Sequence, residues 1–465
     1  MLTRINSTLV GFVACTFSLF SFLLGEAGAV PSFARQTGEG CAACHVSFPE
    51  LTPFGRFFKL SGYTIGNRQI FPLAVMAQVG VTSLKNNQDD QGNPIIPKNH
   101  DLVPAAASVF LAGKATDNLG GFVQWTYNNA NPNADNTGTV GHSGIDNVDL
   151  RLVGRSASID AKEIEWIYGF TLHNNPTVQD VWNSTPAFGF PFTGPPNSVT
   201  PAAGTIIDGG LAQQVAGLGG YVFWKKTLYT ELSFYRTADG AFSVFRAGQD
   251  TANPGGVSAL DGYNPYWRLA YNHEWGPHSL MVGTFGTQVK KFPDNTLRDT
   301  PTDRFTDYAL DGQYQYIADP HTFTAQATII REKQDYRASF PATLAGNPIG
   351  AGPTPANAVD HLRTLKLKGS YYFQRRYGAT LAYFSTTGDT DVGLYPQGSV
   401  GGSNNGSPDS NGYIVEFDYL PVNNVRLMLQ YTGYRKFNGG GSNYDGAGRN
   451  ARDNNLLFLN VWLAY

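Results

Sequence analysis

From about residue 69 to its last residue, the chain consists of segments in which apolar side chains alternate with polar or small ones. In the final segment, NNLLFLNVWLAY, Leu457, Leu459, Val461, Leu463 and Tyr465 fall on one face. Phe458, Asn460, Trp462 and Ala464 fall on the other. EIEWIYGFTLH sets Ile164, Trp166, Tyr168, Phe170 and Leu172 against Glu163, Glu165, Thr171 and His173. NGYIVEFDYL sets Tyr413, Val415, Phe417 and Tyr419 against Ile414, Glu416 and Asp418. A period of two marks strands with two unlike faces.

The connections constrain the fold further. Short turns fall near 117–118, 160–161, 225–226, 276–277, 319–320, 375–376 and 421–424. Longer Gly/Asn/Asp/Pro-rich connections run near 85–101, 130–146, 174–208, 239–262, 291–304, 335–358, 389–410 and 439–453. Seven short and eight long connections in strict alternation predict sixteen antiparallel strands. A soluble sandwich would alternate too, but it would bury its apolar face. Here that face ends in Tyr and Trp, as the aromatic girdles of a bilayer interface do. Backbone groups cannot stay unpaired in lipid, so the sheet must close. The expected fold is an all-β, sixteen-stranded antiparallel transmembrane β-barrel over residues 70–465, placed in the bacterial outer membrane. Its terminal strand, with an aromatic last residue, resembles that of bacterial outer-membrane barrels.

Sixteen strands are wide enough to enclose water. Parity places Asp149, Arg151, Arg155, Glu163, Glu165, Glu231, Lys366, Lys368, Glu416 and Asp418 on the inner face, where a wet lumen would solvate them. The longest connection, with GFPFTGPPNSVTPAAG, has two placements open to it: folded inward as a constriction, or spread at the surface. Only 15% of residues are charged and the net charge is −3, with no basic stripe, so nucleic acid is not an expected partner.

At the other end, Arg4, an apolar run from Leu9 to Leu24 and Ala27-Gly28-Ala29 read as a removable signal peptide over 1–29, rather than as a membrane anchor. Its removal leaves two cysteines, in GEGCAACHVSF. Cys41-Ala42-Ala43-Cys44-His45 has the spacing of a c-type haem attachment site. Two thiols three residues apart can each bond one haem vinyl group, and the imidazole that follows ligates the iron. A redox dithiol or half a zinc site would also use Cys-x-x-Cys. The dithiol leaves His45 unexplained, and for zinc the next histidine is only at His100. The expected cofactor is one haem c, with His45 the axial metal ligand.

The haem segment, residues 30–69, is too short to build a core of its own. It is therefore expected to plug the barrel, with the wall completing the haem pocket. The stretch PSFARQTGEGCAACHVSFPELTPFGRFFKLSGY, Pro31 to Tyr63, resembles the signature of outer-membrane monohaem c-type cytochromes fused to porins, a family that includes surface iron-oxidising cytochromes. The resemblance covers about thirty residues. It implies electron transfer between an extracellular donor such as Fe(II) and a periplasmic cytochrome or copper protein.

Candidate roles follow. Arg35, Arg56 and Lys59 could meet haem propionates or be ordinary solvated charges. Phe33, Phe48, Phe54, Phe57 and Phe58 could shield the ring or pack the plug. Met76 faces the lumen by parity and is the candidate sixth ligand; an ordinary wall methionine is the competing reading. No catalytic triad or metal cage is visible among the eight histidines. Two other functions stay open: a diffusion porin gated by its haem plug, and a conduit exporting electrons.

Overall fold

A computed structural model describes residues 32–132, 139–156, 165–247 and 258–465. The proposed signal, the short turn at 160–161, Glu163 and Ile164 lie outside the described residues. The N-terminal segment carries three helices: α1 (Ser32–Thr37), α2 (Cys41–Cys44) and α3 (Pro53–Leu60). A two-stranded ribbon, His45–Ser47 against Glu50–Leu51, separates α2 from α3.

Sixteen longer strands follow. They are β1 (Leu73–Leu84), β2 (Leu102–Lys114), β3 (Leu119–Pro132) and β4 (Thr139–Arg155). Next come β5 (Trp166–His173), β6 (Val215–Trp224), β7 (Leu228–Thr237) and β8 (Asn264–Trp275). Then come β9 (His278–Lys291), β10 (Asp303–Ile317), β11 (His321–Asp335) and β12 (Val359–Phe373). The last are β13 (Tyr377–Gly388), β14 (Ser410–Val422), β15 (Val425–Lys436) and β16 (Leu456–Ala464). Each pairs with its sequence neighbour, and β16 closes on β1 from Leu456↔Leu84 to Ala464↔Met76. The Tyr465 N–H continues this ladder by donating to Val75 O at 2.8 Å.

The expected alternation holds on the wall. Leu218, Leu232, Leu310, Leu381 and Phe417 point outward and are exposed. Trp166 stacks on Trp224 (centroids 5.8 Å apart) and Tyr377 on Tyr419 (5.3 Å), beside the short turns. With Trp275 and Phe373 they form an outward aromatic belt. A closed sheet with an apolar outside and an aromatic rim is a transmembrane barrel of the outer-membrane type, with short turns on the periplasmic side.

The inner face departs from the expected wet lumen. Asp149, Arg151, Glu231, Lys368, Glu416 and Asp418 are inward as parity required, yet all are buried. Arg155 and Lys366 are half-buried, and Glu165 lies exposed at a short turn. The reason is that the lumen is filled from both ends. The long 174–214 connection folds inward, and the N-terminal segment packs beneath it. Leu60 of α3 and Trp182 of that loop join Val153, Ile167, Tyr221, Phe223 and Tyr229 of the wall in an apolar core inside the barrel.

Leu381→Arg puts a charge on the lipid face and is expected to cost about 2–4 kcal/mol if the position lies at bilayer mid-depth. Denaturant titration in lipid bilayers measures this; an unchanged midpoint would take that face out of the membrane.

Candidate functional site

Strand β1 runs from the short-turn side toward the first long loop, so the segment before it enters at the short-turn mouth. Gln36 of α1 ties the segment to that mouth. Its Nε2 donates to the carbonyls of Tyr63 and Ile65, both at 2.7 Å, and its Oε1 accepts from Lys114 N at 2.8 Å. Arg35 donates to the carbonyl of Leu73.

Helix α2 is the Cys-x-x-Cys turn itself. Thr52 holds it to α3: its hydroxyl donates to Ala43 O (2.5 Å) and caps α3 by accepting from Gly55 N (3.2 Å). Pro53 opens α3, where a missing N–H costs nothing. A Cβ on Gly55 would stand 2.3 Å from Cys44 O, so the two helices approach this closely only over a glycine.

The segment is fixed to the wall by buried polar groups. Arg56 donates to Gln315, to Ser279 Oγ (2.7 Å) and to Glu274 Oε1 (3.3 Å). Glu50 accepts from Thr324 Oγ1 and lies 3.9 Å from Lys368 Nζ. Tyr63 Oη donates to Asp149 Oδ2 (2.6 Å), which also pairs with Arg151 at 2.8 Å. Arg426 pairs with Glu416 (2.6 Å) and Asp418 (2.8 Å) and donates to Phe48 O (3.1 Å).

The inward loop rests on the segment. Lys59 Nζ donates to the carbonyls of Val178 (2.7 Å) and Asp180 (2.6 Å), and Asn183 donates to Pro49 O (2.8 Å). Farther along, Asp208 pairs with Lys366 at 2.6 Å and Thr193 O accepts from Gln430 at 2.8 Å. The loop therefore crosses the lumen from β5 to the β15 wall.

Cys41, Ala42, His45, Val46, Ser47 and Phe48 line a cleft at the short-turn mouth, with Arg375 and Asn423 from the barrel turns and Leu420 from the end of β14. Both cysteines are free thiols. His45 lies 5.2 Å from the Phe48 ring, and its Nδ1 is buried with no hydrogen-bond partner. Burial pushes the imidazole down to about 4, against the pull of the Glu50 and Pro49 carbonyls, so it is neutral near pH 7. A neutral imidazole is the form that ligates metal. Burial pushes Cys44 up to about 11, helped by neighbouring Cys41 and Glu39. A redox dithiol requires the opposite shift. Among the described residues no three His, Cys, Asp or Glu side chains form a metal-holding group. Two protonated thiols on one helical turn and a neutral imidazole next to them fit the demands of covalent haem attachment.

The other expected residues are scattered. Arg56 and Lys59 are committed to the wall and the loop, not to the cleft. Of the five phenylalanines only Phe48 lines it. Phe33 stacks on Tyr63 (5.1 Å) with Phe58 at its edge, and Phe54 and Phe57 line a neighbouring cleft with Trp182 and Phe223. Met76 is inward and half-buried, and does not line the His45 cleft. It lies in register with Ala464, which packs with Cys41 and Phe48. Arg375, Leu420, Asn423 and Arg426 were not singled out from sequence. The available signal was that all short turns share the mouth through which the segment enters.

No protein-family model matches the sequence, and no curated protein matches it. Solved structures resemble the fold. The outer-membrane channel DcaP of Acinetobacter baumannii is 12% identical, with TM-score 0.45 over 84% of this chain and 96% of that one. An anion-selective porin from Comamonas acidovorans gives the same identity and TM-score over 84% and 98%. Salmonella typhi OmpF, in complex with daunomycin, is 11% identical at TM-score 0.41 over 84% and 97%. The closed strand order itself carries the assignment: the chain is a porin-like outer-membrane β-barrel.

Gly55→Ala is expected to push α3 off α2 at a cost of about 1–3 kcal/mol. Hydrogen exchange should then show lost protection over residues 41–60, and unchanged protection would contradict the packing. Lys59 gives a pH signature. Burial pushes its amine down to about 7 against the attraction of Asp149. Between there and the ordinary lysine range the unfolded chain binds this proton more tightly than the folded one. Stability should therefore rise with pH from about 7 to about 10, by up to about 1.4 kcal/mol per unit, and lack this contribution below. Comparing denaturation of wild type and Lys59→Met across that window isolates the effect; identical slopes would refute it.

Proposed function

We propose that this protein is a monohaem electron-transfer protein of the outer membrane. One observation carries the reading: an exported barrel holds a Cys-x-x-Cys-His turn in its periplasmic mouth, with both thiols free and a neutral imidazole beside them. A bound haem would supply one-electron chemistry. Cys41 and Cys44 would tether it and His45 would ligate its iron. Val46, Phe48 and Leu420 exclude water from the cleft. Arg426 holds the chain beside it through Phe48 O. The periplasmic position suits hand-over to a small cytochrome or copper protein docking on the short turns. The donor side, facing Fe(II) or another extracellular reductant, is separated from it by the inward loop.

A second reading, a gated diffusion porin, draws on one part of the wall. Along β1 to β4 the inward Gln78, Thr126, Asp146 and Asn147 are only half-buried. This polar strip is a part of the lumen wall that the plug and the inward loop leave partly open.

In the purified full-length protein, covalent haem is expected to add its mass to the polypeptide, and Cys41→Ser with Cys44→Ser should abolish that addition. Anaerobic Fe(II) should reduce the oxidised bands rapidly, while planar bilayers record little conductance. Steady channel conductance with no reduction by any extracellular donor would favour the porin. The haem spectrum of Met76→Ala decides the sixth ligand: a changed low-spin spectrum keeps Met76 in that role, and an unaltered one leaves it an ordinary wall methionine.

A further inference from the structure

We infer that the outward face of β10 to β13, at the long-loop end, binds the phosphorylated, acylated glycolipid of the outer leaflet. Its phosphates would sit on Arg331, Lys333 and Arg363, with an acyl chain in the groove below. The inference is independent of the haem. Arg331 and Arg363 stand directly opposite each other across β11 and β12, and Lys333 stands opposite His361 in the next outward row toward the long loops. All three cations point outward and are exposed. Like charges set directly opposite in a sheet destabilise it. A bound anion would offset that cost, and a guanidinium fork matches a phosphate in shape and charge.

With Thr306, Tyr308 and Thr387, these cations line a surface cleft. The carboxylates around it are committed. Asp389 accepts from His361 N and hydrogen-bonds its Nδ1, both at 2.9 Å, and Asp409 pairs with Lys436 at 2.7 Å. Glu332 points into the barrel, where it accepts from Ile206 N. Arg331, Lys333 and Arg363 make no ion pair with a described residue. Their depth fits a headgroup. From Phe373 in the periplasmic aromatic belt to Arg363, the outward residues of β12 are Tyr371, Gly369, Leu367 and Leu365, none of them charged. That length of strand, at about 3.3 Å per residue and a tilt of about 40°, climbs about 25 Å, the height of the apolar band of an outer-membrane barrel. Below the cations the same strands are hollowed. Gly312, Ala325, Ala327 and Gly369 floor an apolar groove on the lipid face, walled by Tyr314 and Leu381. Ala327 lies about 13 Å below Arg331 along β11, at about 3.3 Å per residue, a distance that an acyl chain spans. A cationic cleft above a groove of small residues matches a lipid with an anionic head, rather than a free anion.

The test titrates full-length protein in detergent with diphosphoryl lipid A and counts bound lipid by native mass spectrometry, with heat-modifiable migration to verify the barrel. Arg331→Gln combined with Arg363→Gln is expected to weaken binding at least about tenfold. Ala327→Leu, which fills the groove without adding polarity, should weaken it too. Lys225→Gln, exposed at the periplasmic end, should leave it unchanged. Wild type should prefer diphosphoryl lipid A to its dephosphorylated form, and neither inorganic phosphate nor phosphatidylglycerol at equal concentration should displace it. A double variant that binds within about twofold of wild type would overturn the inference, as would equal binding of the dephosphorylated lipid. Displacement by inorganic phosphate would make the cleft a free-anion site, and displacement by phosphatidylglycerol a general anionic-lipid site; either result overturns the glycolipid assignment.

Discussion

The structure depends on the inner surface created when a sheet closes in lipid. Closure satisfies every strand without an edge, and it sends polar side chains to the one side lipid does not touch. Sixteen strands make that interior too wide for the wall side chains to fill. Here the chain supplies the filling from two places, the N-terminal segment and the 174–214 connection. Each covers the other's exposed side. Trp182 packs on α3, and Lys59 holds the loop by its backbone carbonyls.

Burial changes what the inner charges do. In water, Asp149 and Arg151 would be a weak pair. Enclosed with Tyr63, they are desolvated, and removing one partner would strand a buried charge at about 3–5 kcal/mol. The same holds for Arg426 with Glu416 and Asp418. These networks fix the segment's orientation: Tyr63 sits over Asp149, Arg56, Glu50 and Leu51 meet Gln315, and Phe48 O lies over Arg426. The consequence is positional. Cys41 to His45 lie at the short-turn mouth, within reach of the periplasm, and the inward loop separates them from the outside.

The barrel was legible from sequence because it is written in local rules. Alternation in NNLLFLNVWLAY and turn lengths from 117–118 to 421–424 each depend on neighbours a few residues apart, and strand count and closure follow. The Cys41–His45 motif was equally local. The filling of the lumen was not legible. Arg56 meets Gln315 across 259 positions, and Arg375 meets Ala42 across 333. Parity could say that Lys368 and Glu416 point inward, but not that a loop and three short helices would exclude water from them. Arg56 and Lys59 read as candidate haem cations because they follow the motif closely, whereas α3 turns them toward the wall and the loop instead.

Helix α3 and the ribbon strand Glu50–Leu51 sit inside the barrel, and trypsin tests this most directly. Arg56 and Lys59 are 3% and 5% exposed. In folded protein reconstituted into vesicles, the bonds after both residues are predicted to stay intact until the barrel itself unfolds. Cleavage at Arg56 or Lys59 while the barrel remains folded would place the segment outside and contradict the account.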